Sequence, residues 1–359
     1  MPEPLKNLYN KAFVNKLGSA IKKEFSDFNL NQFTKDVLFE DWELLELKQR
    51  TEHVTAILGQ HLAVDYQQAL DILKPVSSQF SGLECMVFPD FVAKFGLDHF
   101  APSMDALAIF TQYSTSEFAV RPFIVKYGDK MMKQMLQWSY SSNEHIRRLA
   151  SEGCRPRLPW GFSLKVFKEN PDAIFPILEN LKQDDSEYVR RSVANNLNDI
   201  SKDHPERVLE ISQKWLGNNQ ATDRLVKHAC RTLLKLANPE ALLLFGYSSV
   251  KHIELKNIDC SIKVLMGEEL RFNFELLSKT EDILGKLRIE YAIVFYRPSK
   301  KQGRKVFKIS EGDFGQQYKK VTKKHSFRSI TTRRYYSGEH RLEIIVNGQT
   351  IHSSNFELI

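Results

Sequence analysis

Residues 186–201 read SEYVRRSVANNLNDIS, and 43 positions earlier the chain reads NEHIRRLASEGCR from Asn143. Glu144 aligns with Glu187, Ile146 with Val189, and Arg147-Arg148 with Arg190-Arg191. A weaker copy, TDRLVKHACRTLLKLA, starts at Thr222. A period of roughly 40 residues built on helical segments marks stacked repeats, none of which can bury its apolar face alone. At 100° per residue, Val189, Val193, Leu197 and Ile200 form one apolar stripe. Tyr188, Ser192, Asn195 and Asp199 form a second stripe, roughly 125° away. In the preceding copy Ile146, Leu149, Ala150 and Gly153 pack, while Glu152 faces away from them with Arg148 and His145 behind it. The expectation is a repeat helix that packs one edge and offers a polar edge to a ligand.

The texture of the chain extends this reading. LLELKQRTEHVTAILGQHL, YQQALDILKPV, DALAIFTQYS and KMMKQMLQWSY repeat the three- and four-residue spacing of helices up to about residue 245. Past Tyr247 the pattern alternates, in SIKVLMGEELRFNFELLS, KLRIEYAIVFYRP, FKISEGDF, SFRSITTRRYYS, HRLEIIVNGQTI and SNFELI. Six or seven short strands fit an antiparallel sandwich, and Asn347-Gly348 marks a hairpin turn. The expected fold is multidomain α plus β: a HEAT-like α-helical solenoid over 1–247, then an immunoglobulin-like β-sandwich over 248–359. No Cys-Trp-Cys spacing fixes the topology of the sandwich.

The length, 359 residues, exceeds what one small core organises. No apolar run approaches the ~20 residues of a membrane span. The start, MPEPLKNLYNKAF, has no apolar signal core, so neither export nor membrane contact is expected. Cys85, Cys154, Cys230 and Cys260 lie far apart, without the spacing of a zinc or redox motif. Reduced thiols are expected, and no metal or other cofactor. The net charge of +7 is unevenly placed: residues 248–359 hold 21 basic and 13 acidic side chains, the rest 30 and 31. Such asymmetry points to a polyanion, nucleic acid before a membrane surface. The doublets Lys300-Lys301, Arg304-Lys305, Lys319-Lys320, Lys323-Lys324 and Arg333-Arg334 read as a clamp on a phosphate backbone. In the repeats, Arg147, Arg148, Arg190, Arg191 and Lys227 recur as phosphate contacts, or as ion-pair partners of Glu144 and Glu187.

Two further stretches carry chemistry. The loop EGCRPRLPWG places Arg155, Arg157, two prolines and Trp160 together. Prolines deny it a helix, arginines suit phosphates, and an indole face suits a cation or a base. TSEFAVRPF adds Glu117 and Arg121 at a helix start.

The phrases SEFAVRPF, NEHIRRLASEGCRPRLPWG and SEYVRRSVANNLNDISKDHP, with FVAKFGLDHFAPSMDAL upstream, resemble the AlkC branch of the AlkC/AlkD DNA alkylation repair glycosylases. The resemblance covers most of residues 40–245, in order. It implies a HEAT-like enzyme that excises N3-methylated adenine and cytosine from DNA. Some members carry a C-terminal immunoglobulin-like domain, which fits the strand-rich tail. Carried over by residue, the family's acids fall on Glu117, Glu152 and Asp199, and its aromatic on Trp160. Arg155 and Arg157 lie in the same motif, with Tyr188 and Asn195 beside the acids as further substrate contacts.

An N3-methylated base carries positive charge and leaves without protonation. The enzyme then has to stabilise an oxocarbenium-like sugar and orient water, which carboxylates do. No lysine other than Lys202 lies in the three motifs, so a Schiff-base step is not expected and the product is an abasic site. The expected partner is double-stranded DNA with alkylated bases, bound by a monomer with no obligatory protein partner. The expected setting is a bacterial cytoplasm, at the nucleoid when bound to DNA. A non-catalytic HEAT scaffold is the alternative, but acids repel a polyanion unless they serve a cation. A nuclease would want metal-binding carboxylates.

Overall fold

The repeat copies become the helices Glu144–Gly153 and Glu187–Ile200, and the weaker copy begins inside the helix Gln220–Ala229. These three pack on one another in chain order. The shorter helix Phe175–Leu181 lies against the first two. The Asn143 side chain caps the first repeat helix, accepting from the His145 amide at 2.9 Å. Val189, Val193, Leu197 and Ile200 are fully buried, each worth about 1.5–3 kcal/mol relative to exposure. Gly153 ends its helix where a Cβ would stand 2.4 Å from Val120 Cγ2. Only glycine allows that approach.

The computed structural model describes residues 3–280, 282–298, 303–330 and 333–359. Among them are sixteen α-helices, from Lys11–Glu24 to Pro239–Leu244. None is long and apolar enough to cross a membrane. Backbone packing divides the chain into two units. One is the chain up to Val208 with Trp215–Ala229, and the other is Leu209–Lys214 with Cys230–Ile359. The helices Arg231–Lys235 and Pro239–Leu244 therefore group with the strands. The contact that draws them there is visible at Gly348, where a Cβ would meet Ala237 Cβ at 2.6 Å.

The strands are β1 Ile253–Cys260, β2 Lys263–Val264, β3 Glu269–Ser278, β4 Gly285–Phe295, β5 Gly303–Phe314, β6 Tyr318–Ser326, β7 Gly338–Val346 and β8 Gln349–Leu358. They form two sheets, ordered β1-β3-β6 and β2-β8-β7-β4-β5. All pairs are antiparallel except β2 with β8. β5 and β6 are edges of their sheets. Leu270, Phe272, Phe274 and Leu276 alternate inward from β3. β4 is buried along both faces, from Leu287 to Phe295. The Phe272 and Tyr291 rings meet at 5.1 Å in the core. Asn347 and Gly348 both take positive φ, 45° and 77°, as the two-residue turn between β7 and β8 requires.

Two sequence expectations change here. There are eight strands among the described residues, not six or seven. Among its described residues SFRSITTRRYYS contributes only Ser326 to a strand; Ile330 and Arg333 form an isolated bridge beyond it. The strand at this place is the lysine-rich YKKVTKKHS instead.

Candidate functional site

Glu117, Glu152 and Asp199 come from three different places in the chain and meet in one buried cluster. Glu117 lies in the turn before the helix Val120–Tyr127, not within it. Glu152 is in the last turn of one repeat helix, and Asp199 in the last turn of the next. They are 9%, 5% and 2% exposed. Half of the polar stripe is therefore interior rather than a solvated edge: Ser192 and Asp199 are buried against the preceding repeat, while Tyr188 and Asn195 are not.

Cations interleave the acids. Arg148 pairs with Glu117 and stands 3.5 Å from Glu152 Oε1. Arg155 donates to Glu152 Oε1 at 2.6 Å and, through Nε, to Asp199 Oδ2 at 2.9 Å. Lys202 closes the series on Asp199 Oδ1 at 3.0 Å. Three acids and three cations thus alternate, and the site buries little net charge. Burial works to lower the pKa of Arg148, but Glu152 and Glu117 outweigh it and hold the guanidinium above its ordinary range. Arg155 is held up in the same way, by Glu152 and Asp199 against burial. Glu117 Oε2 also accepts from Thr115 at 2.8 Å. Glu117 Oε1 has no hydrogen-bond partner among the described residues.

The proline-rich loop is pinned from within. Arg121, fully buried, donates to the carbonyls of Gly153 at 3.0 Å, Arg155 at 2.8 Å and Phe162 at 2.9 Å. Burial lowers its pKa to about 10. Trp160 takes a left-handed backbone, φ 64°, and the residue is 60% exposed. Its carbonyl accepts from Lys48 at 2.7 Å, a partner 112 residues away.

The other expected residues fall in different settings. Tyr188 is half-exposed, with Arg148 5.2 Å from its ring centre and His145 edge-on at 5.9 Å. Asn195 meets His228 at 3.1 Å. Arg157 forms a forked pair with Asp203, at 2.6 and 3.2 Å, away from the acids. Arg148, read from the sequence as a phosphate contact or an ion-pair partner of Glu144 or Glu187, is instead taken up by the cluster, with Glu117 and Glu152. Arg190 turns to the carbonyls of Asp184 and Asp185, and Arg147 forks onto Asp184, so both brace a loop between repeats. Arg191 and Lys227 remain on the exposed surface, Arg191 3.6 Å from Glu187. In the strand-rich unit Lys319, Lys320, Lys323 and Lys324 all lie on β6. Arg304 lies on β5, paired with Glu343 at 2.8 Å. Arg333 sits 4.6 Å from the Phe295 ring centre. Lys300 and Lys301 lie outside the described residues. No group of His, Cys, Asp or Glu among the described residues is arranged to hold a metal ion.

Known proteins match both parts of the chain. Residues 112–234 match the family described as "DNA alkylation repair enzyme", and residues 254–359 match "Uncharacterised protein YhaZ, C-terminal Ig-like domain". The class is thus a DNA alkylation repair fold joined to an immunoglobulin-like domain. YhaZ of Bacillus subtilis is 45% identical over 356 residues, 99% of each chain. The alkylpurine DNA glycosylase AlkC of Pseudomonas fluorescens, solved with DNA containing an abasic-site analogue, is 34% identical. It superposes with a TM-score of 0.95 over 99% of this chain and 100% of that one. The chain belongs to the AlkC family of DNA alkylation repair proteins.

Proposed function

We propose that the protein is a monofunctional DNA glycosylase that hydrolyses the N-glycosidic bond of cationic N3-methylated bases, leaving an abasic site. The observation that carries the reading is the buried cluster of three acids, one of which, Glu117, keeps an oxygen without a partner. A cationic base is already a good leaving group, so the bond to the sugar breaks with its electron pair going to the base. Positive charge develops on the sugar, and preorganised carboxylates lower its energy. Water adds at the anomeric carbon and gives up a proton. Glu117, through its open oxygen, is the acid best able to orient that water and accept its proton, while Glu152 and Asp199 supply fixed negative charge. Trp160 offers an exposed indole face to the cationic base or the sugar. Lys202 is engaged with Asp199, which supports hydrolysis rather than attack by an amine. The solved AlkC relative, an alkylpurine DNA glycosylase, supports DNA as the partner.

The test is release of free base from methylated duplex DNA in the presence of EDTA. The expected outcome is 3-methyladenine and 3-methylcytosine in solution and an intact, abasic strand. Asp199→Asn and Glu117→Gln should each slow release by at least about 100-fold, as removal of a preorganised charged group does. No release on prolonged incubation would refute the glycosylase. It would favour the second reading, a DNA-binding scaffold, which the complete pairing of the acids with cations also fits.

A further inference from the structure

Ser192 lies on the polar stripe and has no part in the chemistry above. It is 3% exposed, in the middle of the helix Glu187–Ile200. A serine inside a helix ordinarily returns its hydroxyl to the carbonyl one turn back. Ser192 sends its hydroxyl across to the neighbouring repeat instead, donating to Glu152 Oε2 at 2.7 Å. Behind it, Ser151 on that neighbouring helix is fully buried and donates to Ser192 Oγ at 2.7 Å. A carboxylate only accepts, so the single proton of Ser192 points to Glu152 and its oxygen is left to accept from Ser151, whose own proton has the Arg148 carbonyl as a second acceptor, farther off at 3.1 Å. Asn196 ties the same turn, donating to the Ser151 carbonyl at 2.8 Å.

Glu152 is thereby held at both oxygens, by Arg155 on Oε1 and by Ser192 on Oε2. A guanidinium alone leaves a carboxylate free to rock about its last torsion. A second donor on the other oxygen removes that freedom. We infer that Ser192, backed by Ser151, is the positioning residue of Glu152, fixing the rotamer in which its charge meets the sugar. The inference rests on the glycosylase reading.

The test is a double-mutant cycle of Ser192→Ala with Glu152→Gln, read as single-turnover base release beside the dissociation constant for the same duplex. Ser192→Ala should lower the release rate about tenfold, as loss of a hydrogen bond to a charged group does, with binding changed less than about twofold. In the Glu152→Gln background the same change should cost nothing more. Ser151→Ala leaves the Ser192–Glu152 bond in place and should lose about two- to threefold, again only when Glu152 is present. It carries the cycle if Ser192→Ala fails to fold. Additive losses, or an unchanged rate in Ser192→Ala, overturn the inference and leave the glycosylase standing. A wild type that releases no base sinks both.

Discussion

Arg155 shows how one side chain can hold a site together. Its guanidinium touches two acids brought from separate helices, at 2.6 and 2.9 Å, in a setting 6% exposed. Breaking such a pair by removing the cation leaves charge buried without compensation. Arg155→Met should therefore destabilise the protein by about 3–5 kcal/mol, measured by urea unfolding. Asp199→Asn removes one acid and keeps the packing, so it should cost less. If the two proved equal, the bridging role would be wrong. None of this was visible at the residue scale in the sequence. In the sequence Arg148 reads as a phosphate contact or an ion-pair partner of Glu144 or Glu187, and Arg155 and Arg157 read as phosphate or substrate contacts, because charge and spacing do not reveal which acid a guanidinium will find. Only Arg148 and Arg155 turn into the cluster. The pinning residues Arg121 and Lys48 were hidden for a related reason: their partners are backbone carbonyls, which leave no trace in a sequence.

At the scale of elements, the helical repeats were legible because burial imposes a period. Val189, Val193, Leu197 and Ile200 are buried where the wheel puts them. The polar stripe was legible as a stripe but not as an interior. A helix packed between two neighbours buries more than one face, and Ser192 and Asp199 lie on the second of these. The central strands were equally plain, since β3 alternates, and β4 alternates through Glu290 and is apolar from Tyr291 to Phe295. β6 escaped notice. Its inward positions include Lys319 and Lys323 beside Val321 and His325, so the hydrophobic alternation is half erased. β2 is two residues long, too short for any period. The helices Arg231–Lys235 and Pro239–Leu244 look like more of the solenoid in sequence, yet they take their packing from the strand-rich unit. Apolar spacing defines which face is buried, not what covers it.

At the scale of the whole molecule, the feature that matters is where the charge lies. The basic excess belongs to residues 248–359, while the remainder of the chain is nearly neutral. The acid cluster can therefore serve a cation without the rest of its unit attracting phosphates strongly. On the proposed reading, attraction falls to the other unit. Lys320 and Lys324 do meet Glu275 and Glu269, at 3.9 and 3.0 Å, but these pairs are well exposed and worth little. Replacing Lys319, Lys320, Lys323 and Lys324 together by Gln should weaken binding to undamaged duplex. It should also flatten the plot of log affinity against log salt, by about one unit of slope for each phosphate left without its lysine. Fluorescence anisotropy between roughly 50 and 200 mM salt reads both. An unchanged slope would reject β6 as the clamp. The same lysines have a second consequence, because β6 and β5 end their sheets. An edge strand exposes unpaired amides and carbonyls that recruit strands from other molecules, and lysine side chains keep such neighbours away. The Gln variant should lose that protection and grow turbid with concentration. Four Glu in the same places should stay clear in light scattering while binding DNA no better. Solubility and grip on DNA would then be two uses of the charge on one strand, separable by reversing its sign.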